Sequence, residues 1–307
     1  MGLFEISQIL ISQILVWLLF VYGTVFGSFI NVVAYRVPRK ESVVFPRSHC
    51  PTCQHALAPY ELIPVLSWIV LGGKCRHCKA RVSVRYPIIE LATGVLWALS
   101  ASRLSATHLP AAQLSATPFS AAPPSVVTQP SVVTQSSGHA WAAAPLLAGS
   151  LSLEQLGVWL LFWLYLMAVV GTDLTAMVVP NILSLPAALV FLLGSGFTGV
   201  QSWPMAIAGM VVGYGMIWLI RLISRGRMGL GDAKLYLSIG AMLGPWLTVE
   251  SFILACVFGL IVGVGLRLAG RLGRREYFAF VPYIAIATVV TAFYGRALIQ
   301  MYIQHVL

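Results

Sequence analysis

The chain has 307 residues, of which 59% are hydrophobic and 9% are charged, with a mean hydropathy of +0.87 and a formal net charge of +10. A soluble domain carries about 25% charged residues, so this composition excludes an ordinary soluble protein and indicates a membrane protein with several spans. The basic residues are confined to a few loops, and none occurs between residues 104 and 220. We therefore expect contacts with membrane lipid and no binding of nucleic acid.

The apolar runs predict an all-α polytopic membrane protein, because a membrane helix needs about 20 predominantly apolar residues. The first run is too long for the apolar region of a signal peptide, so we interpret it as a retained span. With the N-terminus outside, every strongly basic loop falls in the cytoplasm, in agreement with the positive-inside rule. The eight predicted spans lie at residues 8–33, 87–103, 155–172, 180–198, 205–221, 233–244, 247–267 and 279–303.

The same pattern predicts the domain organisation. A first span (1–33) precedes a cytoplasmic loop with four cysteines (34–86), and a second span (87–103) precedes an external loop (104–154). This external loop is rich in Ala, Ser, Pro and Thr and repeats Pro-Ser-Val-Val-Thr-Gln in tandem, which is typical of a flexible low-complexity segment without chemistry. The remaining residues, 155–307, form a core of six spans.

Four cysteines in the first loop have the spacing of a zinc site. Each Cys-x2-Cys pair places two sulfurs on one tight turn, and two such turns can surround a tetrahedral Zn²⁺. Disulfides are disfavoured in the reducing cytoplasm, and a metal would stabilise a loop too small for a large core. Nearby His49, His55 and His77 are candidate ligands or surface residues, and Cys256 is expected to be a buried apolar residue. The predicted metal ligands are Cys50, Cys53, Cys75 and Cys78.

Asp173 and Asp232 are the only aspartates in the chain, and each lies at the end of an apolar run. Two predicted spans separate them, so both should lie at the cytoplasmic boundary. An ionisable group beside a membrane span is a candidate functional site, and two adjacent carboxyl groups can share the acid and base roles of amide hydrolysis. Alternatively, Asp173 is an interfacial residue at a helix end, Asp232 caps a helix beginning at Ala233, or the pair relays protons in a transporter.

Several motifs occur in an order that resembles the type IV prepilin peptidase family. They include a paired Cys-x2-Cys loop and a Gly-x-Gly-Asp sequence, and they cover about residues 20–103 and 155–295. In chain order the motifs are Gly27-Ser-Phe-Ile-Asn-Val-Val-Ala-Tyr-Arg-Val-Pro38, Pro64-Val-Leu-Ser-Trp68, Arg85-Tyr-Pro-Ile-Ile-Glu90, Asp173 with Pro180-Asn181, Gly229-Leu-Gly-Asp-Ala-Lys234 and Phe280-Val-Pro-Tyr283.

The resemblance implies an aspartic peptidase in which Asp173 and Asp232 are the catalytic pair, supported by Gly229, Gly231, Lys234 and Pro180. The implied substrates are prepilins or pseudopilins with a basic leader, cut on the cytoplasmic side of a bacterial cell membrane. Family members with the four-cysteine loop also methylate the new N-terminal amine with S-adenosylmethionine.

The sequence leaves two questions open, namely the roles of three polar residues and the activity of the whole chain. Asn31, Arg36 and Glu90 are candidates for binding S-adenosylmethionine or substrate, although snorkelling and helix capping also explain them. The competing functions for the whole chain are a Gly-x-Gly-Asp protease with other single-span substrates and a zinc-stabilised, proton-coupled transporter or scaffold.

Overall fold

The computed structural model describes residues 3–104, 151–226, 228–270 and 279–306, and helices dominate these residues, which contain no extended β-strand. Short 3-10 turns at Val37–Arg39 and Pro59–Leu62 lie in the loop after the first helix. The helices are α1 (Leu3–Arg36), α2 (Leu66–Val70), α3 (Arg85–Ala101), α4 (Leu153–Ala176), α5 (Asn181–Thr198), α6 (Trp203–Ile223), α7 (Leu230–Leu268) and α8 (Val281–Val306). The all-α prediction is confirmed.

Six of these helices, α1 and α4 to α8, are long and apolar enough to cross a membrane. The second predicted span corresponds to α3, which has 17 residues. Two predicted spans, 233–244 and 247–267, fall within the single 39-residue helix α7. The multi-pass character is therefore supported, and the number of eight crossings stays a prediction.

Helix α7 doubles back on itself at Gly244. This glycine has φ 74° and ψ 177°, which interrupts the helix immediately before Pro245. The rings of Tyr236 and Phe252 lie 5.9 Å apart, whereas 16 residues of straight helix would span about 24 Å. Residues 230–243 and 245–268 therefore form two antiparallel arms of a helical hairpin.

The first and third helices pack antiparallel at very close range. Gly23 of α1 faces Gly94 of α3, and Gly27 faces Glu90 one turn further along. At the next turn the Asn31 amide donates a hydrogen bond of 3.1 Å to the Tyr86 carbonyl. Glycines permit this close backbone approach because they have no side chain, as in many pairs of membrane helices.

Helix α4 lies at the centre of the molecule. Its aromatic residues Trp159, Phe162 and Trp163 are at most 2% exposed and pack against one another and against Phe191 of α5 and Phe293 of α8. Large apolar side chains on the outer helices are exposed instead, as expected for surfaces that face lipid. The most buried part of the protein is therefore the helix that carries Asp173.

The predicted external loop, 104–154, is described only at its two ends, because residues 105–150 lie outside the described residues. The Leu151 amide donates a hydrogen bond of 2.7 Å to the Arg103 carbonyl. The chain thus leaves the helical core and returns to it at the same place. The prediction of a flexible segment for these residues is not tested by the structure.

Candidate active site and metal centre

Asp173 lies in the last turns of α4, and the side chain is only 7% exposed. Its Oδ2 accepts a hydrogen bond of 3.1 Å from the backbone amide of Val281, at the start of α8. The chain leaves α4 through Met177, whose left-handed conformation (φ 51°) ends the helix three residues before Pro180. Asp173 is thus held inside the helix bundle and is not a solvated residue at a helix end.

Asp232 lies in the first turn of α7, which begins at Leu230 with Gly229 as its N-cap. The alternative in which Asp232 caps a helix beginning at Ala233 is therefore wrong, because the helix starts three residues earlier. The partial positive charge at a helix N-terminus favours a carboxylate in the first turn. Gly229 lies close to the Asp232 carboxylate, in an extended conformation that any residue can adopt.

The fold brings Asp173 and Asp232 together, so that their carboxyl groups interact electrostatically. Gly231 packs on Val179, and a side chain at Gly231 would lie only 3.0 Å from the Val179 Cβ. Lys234 donates a hydrogen bond to the Asn181 Oδ1. Both contacts hold the start of α7 against the residues that follow α4.

The four predicted cysteine ligands form one cluster. Their sulfur atoms all lie within 4.8 Å of one another, and those of Cys50 and Cys78 are 3.8 Å apart. Tetrahedral zinc with Zn–S bonds of about 2.3 Å requires sulfur atoms about 3.8 Å apart, so the donor set and its spacing fit this metal. All four cysteines are free thiols in the structure. His55 and His77 stack on each other, with ring centroids 3.5 Å apart, and neither belongs to the cluster.

Local hydrogen bonds give two of the thiols different acidities. Burial acts to raise the pKa of Cys50, but hydrogen bonds at Cys53 and Thr52 outweigh it and lower the pKa to about 6. At Cys78 a backbone hydrogen bond at Ala80 acts to lower the pKa, whereas desolvation and the neighbouring thiols raise it to about 11. The cluster therefore favours a thiolate at Cys50 over one at Cys78, and a thiolate is the form that binds a metal.

A cavity of about 950 Å³ opens between α1, α3 and the cysteine loop. All three residues that the sequence offered for cofactor binding line it. Glu90 accepts a hydrogen bond of 2.7 Å from the Val65 amide, and Arg36 donates to the carbonyls of Ser42 and Pro46. Glu41 and Glu61 line the same cavity, which gives it three carboxylates beside four basic residues, Arg36, Lys74, Arg76 and Arg81. Asn31, Arg36 and Glu90 are thus brought together at this cavity, and neither Asp173 nor Asp232 lines it.

Some contributors to these sites were not identified from the sequence. The Val281 amide that binds Asp173 lies 108 residues away in the chain, and a backbone donor leaves no signal in the side-chain pattern. Arg85 donates to the carbonyl of Leu174, beside Asp173. Cys256, expected to be buried, is exposed on the outer surface of α7, since an apolar thiol is also compatible with a lipid-facing position.

Two protein-family models match this chain, one in its N-terminal part and one in its later helices. The bacterial peptidase A24 N-terminal domain matches residues 21–104, which hold the cysteine cluster, and the type IV leader peptidase family matches residues 159–264, which hold both aspartates. No solved structure matches the chain.

Curated relatives cover nearly the whole chain and carry the name prepilin leader peptidase/N-methyltransferase. The protein of Bacillus subtilis (strain 168) is 30% identical over 94% of this chain and 97% of its own length. That of Burkholderia pseudomallei (strain K96243) is 31% identical over 90% of this chain and 84% of its own, and that of Pseudomonas aeruginosa is 28% identical over 92% and 91%. The chain belongs to the type IV leader peptidase family.

Proposed function

We propose that this protein cleaves the basic leader from prepilins or pseudopilins and then methylates the new N-terminal amine. The observation that carries the proposal is the approach of Asp173 and Asp232, the only two aspartates of the chain, at the ends of membrane helices. The names of the relatives agree with both activities. The protein is then a multi-pass enzyme of a bacterial cell membrane.

The two aspartates activate water and the scissile peptide bond together. Two carboxyl groups in close proximity share one proton, because ionising both at once is unfavourable. The ionised group accepts a proton from the attacking water, and the protonated group polarises the peptide carbonyl. The Val281 amide, the Gly231–Val179 contact and the Lys234–Asn181 hydrogen bond hold the two carboxyl groups in position.

Cleavage takes place at the cytoplasmic face. The basic loops 34–86, 221–232 and 268–278 all fall on one side of the predicted topology, which the positive-inside rule assigns to the cytoplasm. Asp232 lies at the end of loop 221–232, and the carbonyl of Leu174, next to Asp173, accepts a hydrogen bond from Arg85 of loop 34–86. When the apolar helix of the substrate lies in the membrane, the junction between that helix and the basic leader would lie at the same membrane face as the two aspartates.

The cysteine cluster binds a structural zinc ion through Cys50, Cys53, Cys75 and Cys78. A site closed by four protein ligands has no open position for a substrate, so it supports the fold of the loop and takes no part in cleavage. The two Cys-x2-Cys turns bear residues that line the adjacent cavity, among them Thr52 and Arg76. The metal would therefore hold one wall of this cavity in place.

The cavity beside the zinc cluster binds S-adenosylmethionine, the methyl donor. Its volume is within the range of about 300–1,000 Å³ that is typical of small-molecule sites. Among the charged residues of its lining, Glu41, Glu61 and Glu90 are the groups that would attract the positively charged methyl donor and the substrate's N-terminal amine. Asn31 and Arg36 are polar residues at the wall formed by α1.

The mass of the reaction product tests this function. Purified protein is incubated with a prepilin that carries its leader, with and without S-adenosylmethionine. We expect the substrate to lose the mass of the leader in both reactions and to gain one methyl group only when the donor is present. An intact substrate, under conditions in which a known family member cuts it, would contradict the proposal. Proton-coupled flux in liposomes would then favour the transporter.

A further inference from the structure

Within the described part of the chain, an apolar segment of the cysteine loop has no protein partner for most of its large side chains. Residues 62–71 read Leu-Ile-Pro-Val-Leu-Ser-Trp-Ile-Val-Leu and include the short helix α2. Leu66, Ile69 and Val70 are 60%, 61% and 81% exposed, and Leu62 and Ile63 are exposed beside them. Large contiguous apolar surfaces are uncommon on parts of a protein that face water, and they mark contact with a partner or a membrane.

This segment lies alongside the membrane helices. The Val65 amide donates a hydrogen bond to Glu90, which lies five residues inside α3, or about 7.5 Å along its axis. Glu90 is level with Gly27 of α1, nine residues before that helix ends at Arg36, or about 13 Å. A side chain on a helix leans towards the N-terminus of that helix, so the Glu90 carboxylate lies nearer to the start of α3 than the Glu90 Cα does. With this allowance, Val65 still lies beside the first turns of α3. The loop therefore folds back towards the membrane.

Charges and aromatic residues around the segment also fit a lipid surface. Four basic residues follow within ten positions, and anionic headgroups attract such clusters. Trp68 is tied to the loop by a hydrogen bond of 3.1 Å from its Nε1 to the Val82 carbonyl, and Trp is enriched at membrane interfaces. The basic residues are Lys74, Arg76, Lys79 and Arg81.

We propose that residues 62–71 form an interfacial anchor, inserted into the leaflet at which α1 ends and covered by lipid acyl chains. Burial in lipid removes the exposed apolar side chains from water, which stabilises the inserted segment. Leu62, Trp68 and Leu71 also line the large cavity. The anchor therefore places the cavity mouth at the membrane interface, where an amphipathic or membrane-bound substrate can enter without leaving the bilayer.

Photo-crosslinking in nanodiscs tests the anchor without reference to enzyme activity. A benzophenone side chain replaces Val70, which is so exposed that the substitution leaves the packing intact. Leu189, on the outer surface of α5, is the lipid-facing control, and Thr52, an exposed polar residue of the first cysteine turn, is the second control. The nanodiscs contain phosphatidylethanolamine and phosphatidylglycerol, and the adducts are identified by mass.

We expect lipid adducts at position 70 within a few-fold of those at position 189 and at least tenfold above those at position 52. A yield at position 70 no higher than at position 52 would overturn the proposal. Crosslinks from position 70 to a second polypeptide in place of lipid would also overturn it, and would identify the segment as a protein-binding surface. Because the readout is a lipid adduct, the result is independent of whether the protein cleaves or methylates a prepilin.

Discussion

At the scale of single residues, the aspartate pair depends on contacts that the chain makes around it. Asp173 is fixed by a backbone amide, and Asp232 is placed by the first turn of α7. The hydrogen bond from Lys234 to Asn181 connects the helix that carries Asp232 to the segment that follows Asp173. We propose that Lys234 positions the aspartate pair through this hydrogen bond.

We expect Lys234→Met and Asn181→Ala each to lower the rate of leader cleavage about tenfold, by loosening the two segments. The double variant should be little slower than either single variant, because one interaction is lost in all three. The measurement is a double-mutant cycle on kcat/KM. Methylation of a substrate without its leader is the control and should be unchanged. Fully additive losses would show that the two side chains act independently.

The fifth cysteine provides a matched control for the metal site. Cys53→Ser removes one of the four clustered thiols, whereas Cys256→Ser changes a thiol far from the cluster. We expect about one zinc per chain in the unaltered protein and in Cys256→Ser, and much less in Cys53→Ser. Elemental analysis of protein purified without chelator measures this. Equal zinc contents in the two variants would contradict a four-cysteine site.

The sequence indicates which residues are candidates for the chemistry more directly than it indicates which of them lie close together in the fold. The paired Cys-x2-Cys spacing defines a local turn geometry, so the cluster could be predicted before the fold was known. Asp173 and Asp232 are 59 residues apart, and the packing of α8 against both α4 and α7 brings them together. The roles of the Val281 amide and of Arg85 follow from that packing and have no signature in the sequence.

At the scale of helices, glycines determine how α6 and α7 meet. A side chain at Gly209 would clash with the carbonyl of Gly240, and one at Gly213 would lie 2.6 Å from the Tyr236 carbonyl. Gly213 also contacts Thr248 of the second arm, so α6 packs against both arms of the hairpin. The close packing therefore supports the arm that carries Asp232 in its first turn.

We expect Gly209→Val to separate α6 from the hairpin and to lower both the yield of monodisperse protein and its thermal stability. Gly215→Val is the control in the same helix, because nothing lies within 4 Å of the added Cβ at that position. Cleavage activity should fall with stability in the first variant and persist in the second. The melting temperature in detergent measures the effect, and equal values for the two variants would contradict the close approach.

The hairpin also shows what apolar patterning can predict. The runs at 233–244 and 247–267 indicated two helices, and the intervening Gly244-Pro245 provides the reversal. Hydropathy does not distinguish a reversal from a kink, because both interrupt an apolar run with the same residues. The spacing Gly209-x3-Gly213 in α6 was an available signal of close helix packing.

At the scale of the whole molecule, the part that holds the cysteine cluster is joined to the peptidase helices through α1 and α4. The Thr175 hydroxyl donates a hydrogen bond of 2.9 Å to the Ala34 carbonyl, and Gly171 packs directly on Ala34. The large cavity and the aspartate pair thus lie on the same protein framework but have separate walls. This arrangement agrees with two reactions carried out in sequence on one substrate.

The low-complexity segment is expected to be dispensable for both reactions. Its ends are joined by the hydrogen bond between Leu151 and Arg103, so a short Gly-Ser linker can replace residues 105–150 without moving α3 or α4. We expect the shortened protein to keep cleavage and methylation within about twofold of the full chain. A selective loss of either activity, in a protein of unchanged stability, would assign this segment a function.

In the proposed mechanism, Asp173 and Asp232 together cleave the leader, and methylation occurs elsewhere. The most direct measurement compares Asp173→Asn, Asp232→Asn and the control Glu154→Gln, an exposed acid at the start of α4, in cleavage of a prepilin and methylation of the same pilin without its leader. Each Asn variant should lose about 10²–10⁴-fold in cleavage and keep methylation, and the control should keep both. Near-normal cleavage by either Asn variant would contradict the account.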